Sequence, residues 1–303
     1  MSFSAQTDNL RMFSEAVSSK CEKVRFGSEF CEWKIPSLPE VEKAHALAKD
    51  RGKVFTYITP RVSDEGLKKI RAQLDFLNGA GKIAIVVNDL GTLNIMGDYP
   101  ELSPYLGRQL VHMPARCPWL KMRFGDLTSF RLKALKAMIE KRHVEDIYSQ
   151  TSLNYSPTIR LFQSYGIQGV DLDWIPRCFP YSNFLVKAGL NLFVHLHLIP
   201  VTLTRKCHTA RFLGEKTPEN CSKPCYSRAF LLKHRGLTDE AERKLFLQGN
   251  VVFRLVQPSR TDMEKLLRSG VTNFVITMNP VTKISSREEI DKLIVHLKQE
   301  TDQ

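Results

Sequence analysis

Residues 54–88, VFTYITPRVSDEGLKKIRAQLDFLNGAGKIAIVVN, decide the fold class of this chain. Their two ends, residues 54–59 and 83–88, are short runs rich in β-branched and aromatic residues, which favour strands. Between them, residues 64–77 repeat apolar side chains at the three- and four-residue spacing of one helix face. A strand, a helix and a second strand in this order are typical of two parallel strands joined by a crossover helix. The stretch therefore predicts a βαβ unit.

The same alternation of strand and helix patterns continues on both sides of this unit. Further strands are predicted at residues 23–26, 108–112, 169–172, 190–198, 251–256 and 274–278. Helices are predicted at residues 38–50, 129–142, 158–165, 183–188, 240–247, 261–269 and 287–298, with an additional N-terminal helix at 7–18. Eight strands alternating with eight helices predict a (β/α)8 TIM-like barrel, for which about 250 residues are typical. A doubly wound open sheet is the alternative, although the first strand lacks the G-x-G-x-x-G turn of a dinucleotide-binding sheet.

The length of 303 residues predicts a single barrel-like domain over residues 1–303, with its barrel core at 20–280. Two segments, residues 113–127 and 200–228, interrupt the tight alternation. Both follow the carboxyl ends of predicted strands, where the active sites of barrels lie. Loops of this length are usually functional or disordered, and we expect residues 200–228 to be an insertion that carries a binding site.

Composition excludes several classes of protein. With 43% hydrophobic and 25% charged residues, the chain is neither disordered nor fibrous. The longest apolar stretch, residues 190–201, contains His195 and His197 and is shorter than the roughly 20 residues that cross a bilayer. The N-terminus carries Asp8 and Glu15 where a signal peptide needs a basic and then an apolar stretch. We therefore expect no membrane association and a cytoplasmic location.

Three cysteines in the predicted insertion are the strongest chemical signal. Cys207 is followed by Cys221-Ser-Lys-Pro-Cys225, and the proline favours a turn that brings the last two thiols together. Four thiolates complete a zinc or an iron–sulfur site, and Cys31 is the candidate for the fourth ligand. It follows the first predicted strand, at the barrel rim to which residues 190–198 deliver Cys207. Spacing does not separate zinc from iron–sulfur, and four buried free cysteines are the alternative.

The other cysteines, Cys21, Cys117 and Cys178, each stand alone in the sequence and are interpreted as free thiols.

Several other polar residues are predicted at the same rim. His195 and His197 alternate with apolar residues, so we expect them on one face of a strand, directed into the barrel. Asp171 and Asp173 share a face in the same way, and paired carboxylates can transfer protons. Arg211 is a candidate for holding a carboxylate substrate through its planar guanidinium. For each residue the alternative is a structural role, as a core histidine, a loop cap or an ion pair.

In four places the sequence resembles the collagenase-like peptidase family. Gly27-Ser-Glu-Phe-Cys31 is similar to its Gly-x-x-x-Cys motif, and Asp89-Leu-Gly-Thr-Leu-Asn94 to its Asp-Leu-Gly-x-x-Asn turn. Cys207-His-Thr-Ala-Arg211 is similar to its Cys-x-[Thr/Ser]-[Ala/Gly]-Arg signature, and Cys221-x3-Cys225 follows at nearly the family interval. With the strand spacing included, the resemblance covers about residues 20–280.

The resemblance implies a barrel that carries a 4Fe-4S cluster on Cys31, Cys207, Cys221 and Cys225. Some members of the family support oxygen-independent hydroxylation of quinone precursors as one half of a heterodimer with a related subunit. Others hydroxylate bases in transfer or ribosomal RNA, and the family name records a collagenase activity. One departure concerns the substrate: the strand before the cysteine loop often carries glutamates in this family, whereas here it carries His195 and His197.

Charge is the observation that bears on the RNA alternative. Lys and Arg number 44 against 32 Asp and Glu, which gives a net charge of +12 and invites a polyanionic partner. A basic segment with interleaved aromatic side chains could stack a base and neutralise phosphates; it contains Arg116, Trp119, Lys121, Arg123 and Phe124. A solvated surface is the more ordinary explanation of such charge. We favour a small aromatic or carboxylate substrate over RNA.

Overall fold

The computed structural model describes residues 1–116, 150–175, 182–215, 221–232 and 244–299. Parallel strands form a closed eight-stranded barrel within these ranges. In chain order its strands are β1 (Ser2–Thr7), β2 (Lys23–Phe26), β3 (Val54–Ile58), β4 (Ile83–Val87), β5 (Leu102–Leu106), β6 (Gly169–Asp173), β7 (Asn191–His195) and β12 (Asn273–Thr277). The barrel closes because β1 pairs with β2 on one side and with β12 on the other. The predicted (β/α)8 fold class is therefore confirmed.

Helices surround the barrel between its strands. The described α-helices are Leu10–Ser18, Leu38–Asp50, Asp64–Ala80, Leu90–Ile95, Ser156–Ser164, Ser182–Lys187, His208–Phe212, Arg260–Arg268 and Arg287–Gln299. The helix Asp64–Ala80 shows how the local sequence starts a helix: the Ser63 side chain caps its N-terminus by accepting a hydrogen bond from the Gly66 N–H. Its buried apolar residues belong to one continuous apolar core together with the outward side chains of β2 to β4.

One predicted barrel strand was wrong in position. Residues 108–112 are not a strand, because the fifth barrel strand is β5, which pairs with β4 and β6. A proline usually argues against a strand, but Pro104 lies within β5, opposite Ile85 of β4. The barrel core also begins before residue 20, at β1, so the N-terminal helix predicted from residue 7 starts only at Leu10.

The predicted strands 190–198 and 251–256 were also wrong in their assignment. The first is divided into β7 and a separate strand, β8 (Leu198–Leu203), while the second is β11 (Val251–Leu255), which lies outside the barrel. A four-stranded antiparallel sheet is built in the order β8, β11, β10 (Leu245–Gln248) and β9 (Phe230–Leu232). β10 occupies part of the predicted helix 240–247, and the helix predicted at 129–142 lies outside the described residues.

This antiparallel sheet is inserted between β7 and β12, so it stands at the carboxyl end of the barrel. It has a small apolar core of its own around Leu198, Val251, Phe253 and Val281. Cys207, Cys221 and Cys225 all lie on the connection between β8 and β9. The insertion is thus larger than the predicted residues 200–228, and it holds the cysteine segment over the barrel rim.

Candidate functional site

The barrel interior is polar at its carboxyl end. Alternation along each strand sends one set of side chains outward to the helices and the other set inward. The inward set includes Arg25, Asp171, Asp173 and His195, each at most 1% exposed. TIM barrels ordinarily fill this space with branched apolar side chains. Buried charge of this kind is costly unless it is paired, so the pairing defines the site.

Asp171 on β6 joins Arg25 on β2 to His195 on β7. Its Oδ2 accepts from Arg25 Nη2 at 2.6 Å and lies 3.1 Å from His195 Nε2. Burial raises the pKa of Asp171, although Arg25 pulls it down. Burial and the Arg108 guanidinium hold the pKa of His195 well below its ordinary value of 6.5. A neutral His195 ring that donates from Nε2 keeps Nδ1 as an acceptor, and this buried Nδ1 has no hydrogen-bond partner among the described residues.

Arg108, which follows β5, is the most connected charge in the site. Its Nε and Nη2 donate to the two carboxylate oxygens of Glu29 at 2.7 and 2.6 Å. Its Nη1 donates to Asp173 at 2.7 Å and to the Leu198 carbonyl at 2.7 Å. Burial lowers the pKa of Arg108, but Glu29 and Asp173 outweigh it and the net shift is upward. This guanidinium therefore ties the loop after β2 to β6 and to the start of β8.

Asp173 is held by two arginines at once. Its Oδ1 accepts from Arg108 and its Oδ2 accepts from Arg116 Nε at 2.6 Å. Burial would raise the pKa of Asp173, but Arg116 and Arg108 together leave it lowered. A carboxylate whose two oxygens both accept from arginines is kept ionised, so Asp173 is suited to positioning the arginines rather than to exchanging protons.

A second cluster of groups surrounds a cavity of about 70 Å³ beside this network. Cys31 and Cys225 line it, together with Glu29, Lys34 and Arg108. Gly27 starts the loop that delivers Cys31: its φ is +130°, and a Cβ there would lie 2.2 Å from the Ile58 carbonyl oxygen. Only glycine fits this position without backbone movement, so Gly27 sets the path of the cysteine loop.

The four cysteines of the predicted site are brought together from distant parts of the chain. Burial raises the pKa of Cys31 to about 12, and the Cys225 and Cys207 thiols add to that rise. Burial also raises the pKa of Cys207 and Cys225, with Cys221 contributing to both. Each of these four thiols is therefore within electrostatic reach of others in the set.

Backbone N–H groups point at two of these sulfurs. Ala210 N donates to Cys207 Sγ at 3.3 Å, and Lys223 N donates to Cys221 Sγ at 3.4 Å. In the described part of the chain, no three His, Cys, Asp or Glu side chains are grouped closely enough to hold one metal ion. The thiols of a zinc site lie about 3.8 Å apart, as its Zn–S bonds of about 2.3 Å require. In the described part of the chain these thiols are therefore not arranged as a closed single-ion site.

Lys34 places a positive charge beside these thiols. It forms an ion pair with Asp8, and its Nζ lies 4.3 Å from the centre of the Tyr226 ring. Burial lowers the pKa of Lys34. Asp8, Cys225 and Tyr226 raise it by more than burial lowers it, so the net shift is upward. Lys34 also lowers the pKa of Cys31, Cys207 and Cys225 against the effect of burial. The ammonium group thus favours thiolates at this cavity.

Other residues predicted for the site lie elsewhere. Arg211 is exposed on the short helix His208–Phe212 and does not line the cavity beside Cys31 and Cys225. His197 lies in the turn between β7 and β8, and burial lowers its pKa to about 4. Asp89 caps the helix Leu90–Ile95 by accepting from Gly91 N and Thr92 N. The Asp-Leu-Gly turn therefore has a structural role in this chain.

Of the cysteines interpreted as free thiols, Cys21 is buried in the apolar core, and burial raises its pKa to about 12. Cys117 and Cys178 lie outside the described residues, as do Trp119, Lys121, Arg123 and Phe124 of the basic segment.

Sequence reasoning missed three charged members of the network: Arg25, Glu29 and Arg108. Arg25 carried a usable signal, because it alternates with Val24 and Phe26 in a strand whose other face is apolar. Glu29 lies inside the Gly27–Cys31 motif, in which the sequence points to a role for the cysteine alone. Arg108 was assigned to a strand, which concealed its position in the turn at the barrel rim.

Fold and site together define a (β/α)8 barrel with a buried ionic network and a cysteine cluster at its carboxyl end. No known family model and no curated protein matches the chain. Among solved structures, it is similar to D-psicose 3-epimerase with D-tagatose from Clostridium cellulolyticum H10, with a TM-score of 0.30 and 7% identity. That alignment covers 100% of this chain and 97% of the epimerase. No described helix has the length and apolar character needed to cross a membrane.

Proposed function

We propose that Cys31, Cys207, Cys221 and Cys225 hold a 4Fe-4S cluster. The observation that carries this proposal is the convergence of Cys31 with three cysteines about 180–190 residues away in the chain, each thiol within electrostatic reach of others in the set. A cluster ligated by four cysteines needs one thiolate at each of four irons. The four cysteines supply that number of thiolates.

The surroundings of the thiols support the same assignment. Hydrogen bonds to cluster sulfurs and the charges near them set the reduction potential of iron–sulfur centres. Ala210 N and Lys223 N supply such hydrogen bonds, and Lys34 supplies a buried positive charge. Free cysteines packed as small hydrophobes need neither. Zinc stays the alternative cofactor.

We further propose that the protein takes part in oxygen-independent hydroxylation of a quinone precursor or a similar small aromatic substrate, in the cytoplasm. This rests on the resemblance to the collagenase-like peptidase family, and within it to the iron–sulfur protein UbiV, which works with a related subunit, UbiU. A comparable heterodimer is proposed here. The bound cluster would supply one-electron transfer.

The residues of the chain itself supply proton handling. Transfer of a hydroxyl group from an organic donor ROH to a C–H carbon gives C–OH and RH, so the proton released from that carbon passes to the donor and a buried acceptor must carry it between them. His195 Nδ1 is such an acceptor, with Asp171 fixing the ring through Nε2. Arg108 and Asp173 hold the cysteine loop against this pair of residues.

Two alternatives from the sequence stay predictions. RNA-base hydroxylation depends on the basic segment, most of which lies outside the described residues. A peptidase needs a nucleophile with an adjacent base or a metal with an open position. Cys207 and His208 are its candidates, and no described contact joins their side chains. Neither alternative has a structural observation in its favour.

The test is the spectrum and metal content of protein purified without oxygen. We expect a brown protein with the broad visible absorption of thiolate-bound iron and about four irons per chain. Single changes of Cys31, Cys207, Cys221 or Cys225 to Ala should each lower the iron content and bleach the colour. Cys21→Ala is the matched control, since Cys21 is buried in the apolar core away from the cavity, and it should retain full iron. A colourless protein with stoichiometric zinc would refute the cluster.

A further inference from the structure

A second and larger cavity, of about 280 Å³, opens at the barrel rim beside the cysteine cavity. This volume is close to the lower end of the range of about 300–1,000 Å³ typical of ligand pockets. Arg61, Arg108 and Arg116 line it, and its described lining includes no Asp or Glu. Such a concentration of guanidinium groups favours an anionic occupant.

The described residues do not fully neutralise these arginines. Arg108 and Arg116 share two carboxylates, those of Glu29 and Asp173. Arg61 is exposed and has no carboxylate within ion-pair distance in the described part of the chain. Among these residues, three positive charges therefore face two negative ones, which leaves one positive charge for a ligand.

Arg116 also has a hydrogen-bond donor with no partner among the described residues. Its Nε donates to Asp173 and its Nη1 to the Val111 carbonyl, both at 2.6–2.7 Å. Its third nitrogen, Nη2, is buried and has no hydrogen-bond partner among the described residues. An unsatisfied buried donor costs about 1–3 kcal/mol, and an anionic oxygen in the cavity would satisfy it.

Apolar side chains form much of the remaining wall, beside Gln109, His112 and Thr202. Phe30 forms one side, and Pro200, Val201 and Leu203 of β8 contribute to the rest. The Phe30 ring is fixed by an edge-to-face contact with Phe253, at 5.4 Å between centroids, and by the Arg108 guanidinium 5.3 Å from its centre. A rigid aromatic face of this kind suits a flat apolar group on the ligand.

From these features we propose that this cavity binds a small organic acid, with its carboxylate on Arg116 and Arg61 and its flat apolar part against Phe30. The site deepens the proposed function, and as a substrate site it rests on it, because Phe30 and Arg108 line both this cavity and the cysteine cavity. The bound acid and the thiols of Cys31 and Cys225 would then lie on two sides of the same Phe30 and Arg108 side chains. The binding itself requires no cluster.

Calorimetric titration with three small probes tests the site. Benzoate carries both the carboxylate and the flat ring, benzamide has the ring without the charge, and inorganic phosphate has the charge without the ring. We expect benzoate to bind and the other two probes to bind at least about tenfold more weakly. Benzamide binding as tightly as benzoate would overturn the anionic part of the proposal, and equal phosphate binding would overturn the apolar part. No heat at about 10 mM benzoate would overturn the whole site.

Two arginine variants place the binding. Arg61→Gln changes an exposed residue with no described side-chain contact, so it should fold normally and weaken benzoate binding by roughly fivefold. Arg116→Gln should weaken it by about tenfold or more, since it removes the buried donor. Arg71→Gln, an exposed arginine on the helix Asp64–Ala80, is the control that should bind like wild type. Unchanged affinity in both Arg61→Gln and Arg116→Gln would overturn the assignment.

Iron analysis separates this proposal from the proposed function. Arg61→Gln alters no cysteine and no contact of the cysteine loop, so it should keep the full iron content of wild type. If wild-type protein binds benzoate but contains no iron, the cluster fails and the acid site stands. If it contains iron but does not bind benzoate, the acid site fails and the cluster stands.

Discussion

Arg108 and Glu29 form a bidentate ion pair inside the barrel rim. Arg108 Nε lies 2.7 Å from Glu29 Oε1 and Nη2 lies 2.6 Å from Oε2, and the two side chains are 1% and 4% exposed. Glu29 is two residues from Cys31, so the pair fixes the loop that carries this thiol. Paired geometry of this kind is the strongest form of arginine–carboxylate contact. Both charges are far from water, and neither can be removed alone without leaving the other unpaired.

Glu29→Gln should therefore destabilise the protein strongly. The change keeps the shape of the side chain but removes half of the charge compensation of Arg108, and breaking a buried pair in this way costs about 3–5 kcal/mol. Urea unfolding followed by circular dichroism measures the loss. Glu65→Gln is the control, because Glu65 pairs with Lys68 on the surface, and it should leave the midpoint unchanged. Equal midpoints for Glu29→Gln and wild type would show that the ion pair contributes nothing to stability.

Gly27→Ala tests whether backbone conformation sets the cysteine loop. With a φ of +130° and the Ile58 carbonyl oxygen 2.2 Å from an added Cβ, alanine should cost roughly 2–4 kcal/mol. Gly79→Ala provides the opposite case, since nothing lies within 4 Å of an added Cβ on this helical residue. It should stabilise the helix by about 0.5–1 kcal/mol. Thermal unfolding of both variants decides the matter, and a tolerated Gly27→Ala would contradict the described loop.

His197 should make stability depend on pH. Burial lowers its pKa from 6.5 to about 4, so between these two values the unfolded chain binds a proton that the folded chain does not. Stability is then complete above pH 6.5 and falls as the pH drops toward 4, by roughly 3 kcal/mol for this residue. Between pH 7 and pH 5, wild type should therefore lose more unfolding free energy than His197→Asn, which has no imidazole to protonate at this position. Urea unfolding of both proteins at the two pH values measures the difference.

The exposed His112 supplies the comparison for this prediction. His112→Asn should retain the loss of stability that wild type shows between pH 7 and pH 5. If His197→Asn retains it in full as well, another group causes the acid sensitivity.

The barrel was predictable from sequence because its outward strand faces and helix faces repeat apolar residues with clear periods. Strands β2 to β4 and β12 were placed almost to the residue for that reason. The strand β5 was missed because Pro104 argues locally against a strand, whereas the barrel tolerates it: its carbonyl accepts a hydrogen bond from Gln168 N, immediately before β6. The strand β1 was missed because its inward residues are polar, and its short alternation resembles a loop before a helix.

The candidate site was predictable only where chemistry is carried by rare residue types. Cysteines in a dense group stand out, and the parallel strands of a barrel bring their carboxyl ends to one rim, which places Cys31 near Cys207. Arg25, Glu29 and Arg108 give no such signal, because charged residues are common and only the closed barrel reveals which of them are buried together. Long-range pairing of this kind depends on register between strands, which a single sequence does not display.

Arg25→Met tests the pairing inside the barrel through the titration of Asp171. Burial already raises the pKa of Asp171 from its ordinary value of 3.8, against the pull of Arg25, so removing Arg25 should raise it further. Between pH 3.8 and the folded pKa, the folded variant holds a proton that the unfolded chain has already released, so its stability falls as the pH rises from 3.8 through the folded pKa. Relative to wild type, Arg25→Met should therefore lose more unfolding free energy at pH 7 than at pH 5.

Asp171→Asn combined with Arg25→Met completes this experiment. In the double variant no carboxylate is left to titrate, so the excess loss at pH 7 should disappear. Urea unfolding at both pH values measures all four proteins in one double-mutant cycle. An Arg25→Met protein that loses the same free energy at pH 5 and pH 7 would show that Asp171 stays ionised without Arg25, and that the remaining charges around it, Arg108 among them, are enough to hold it ionised inside the barrel.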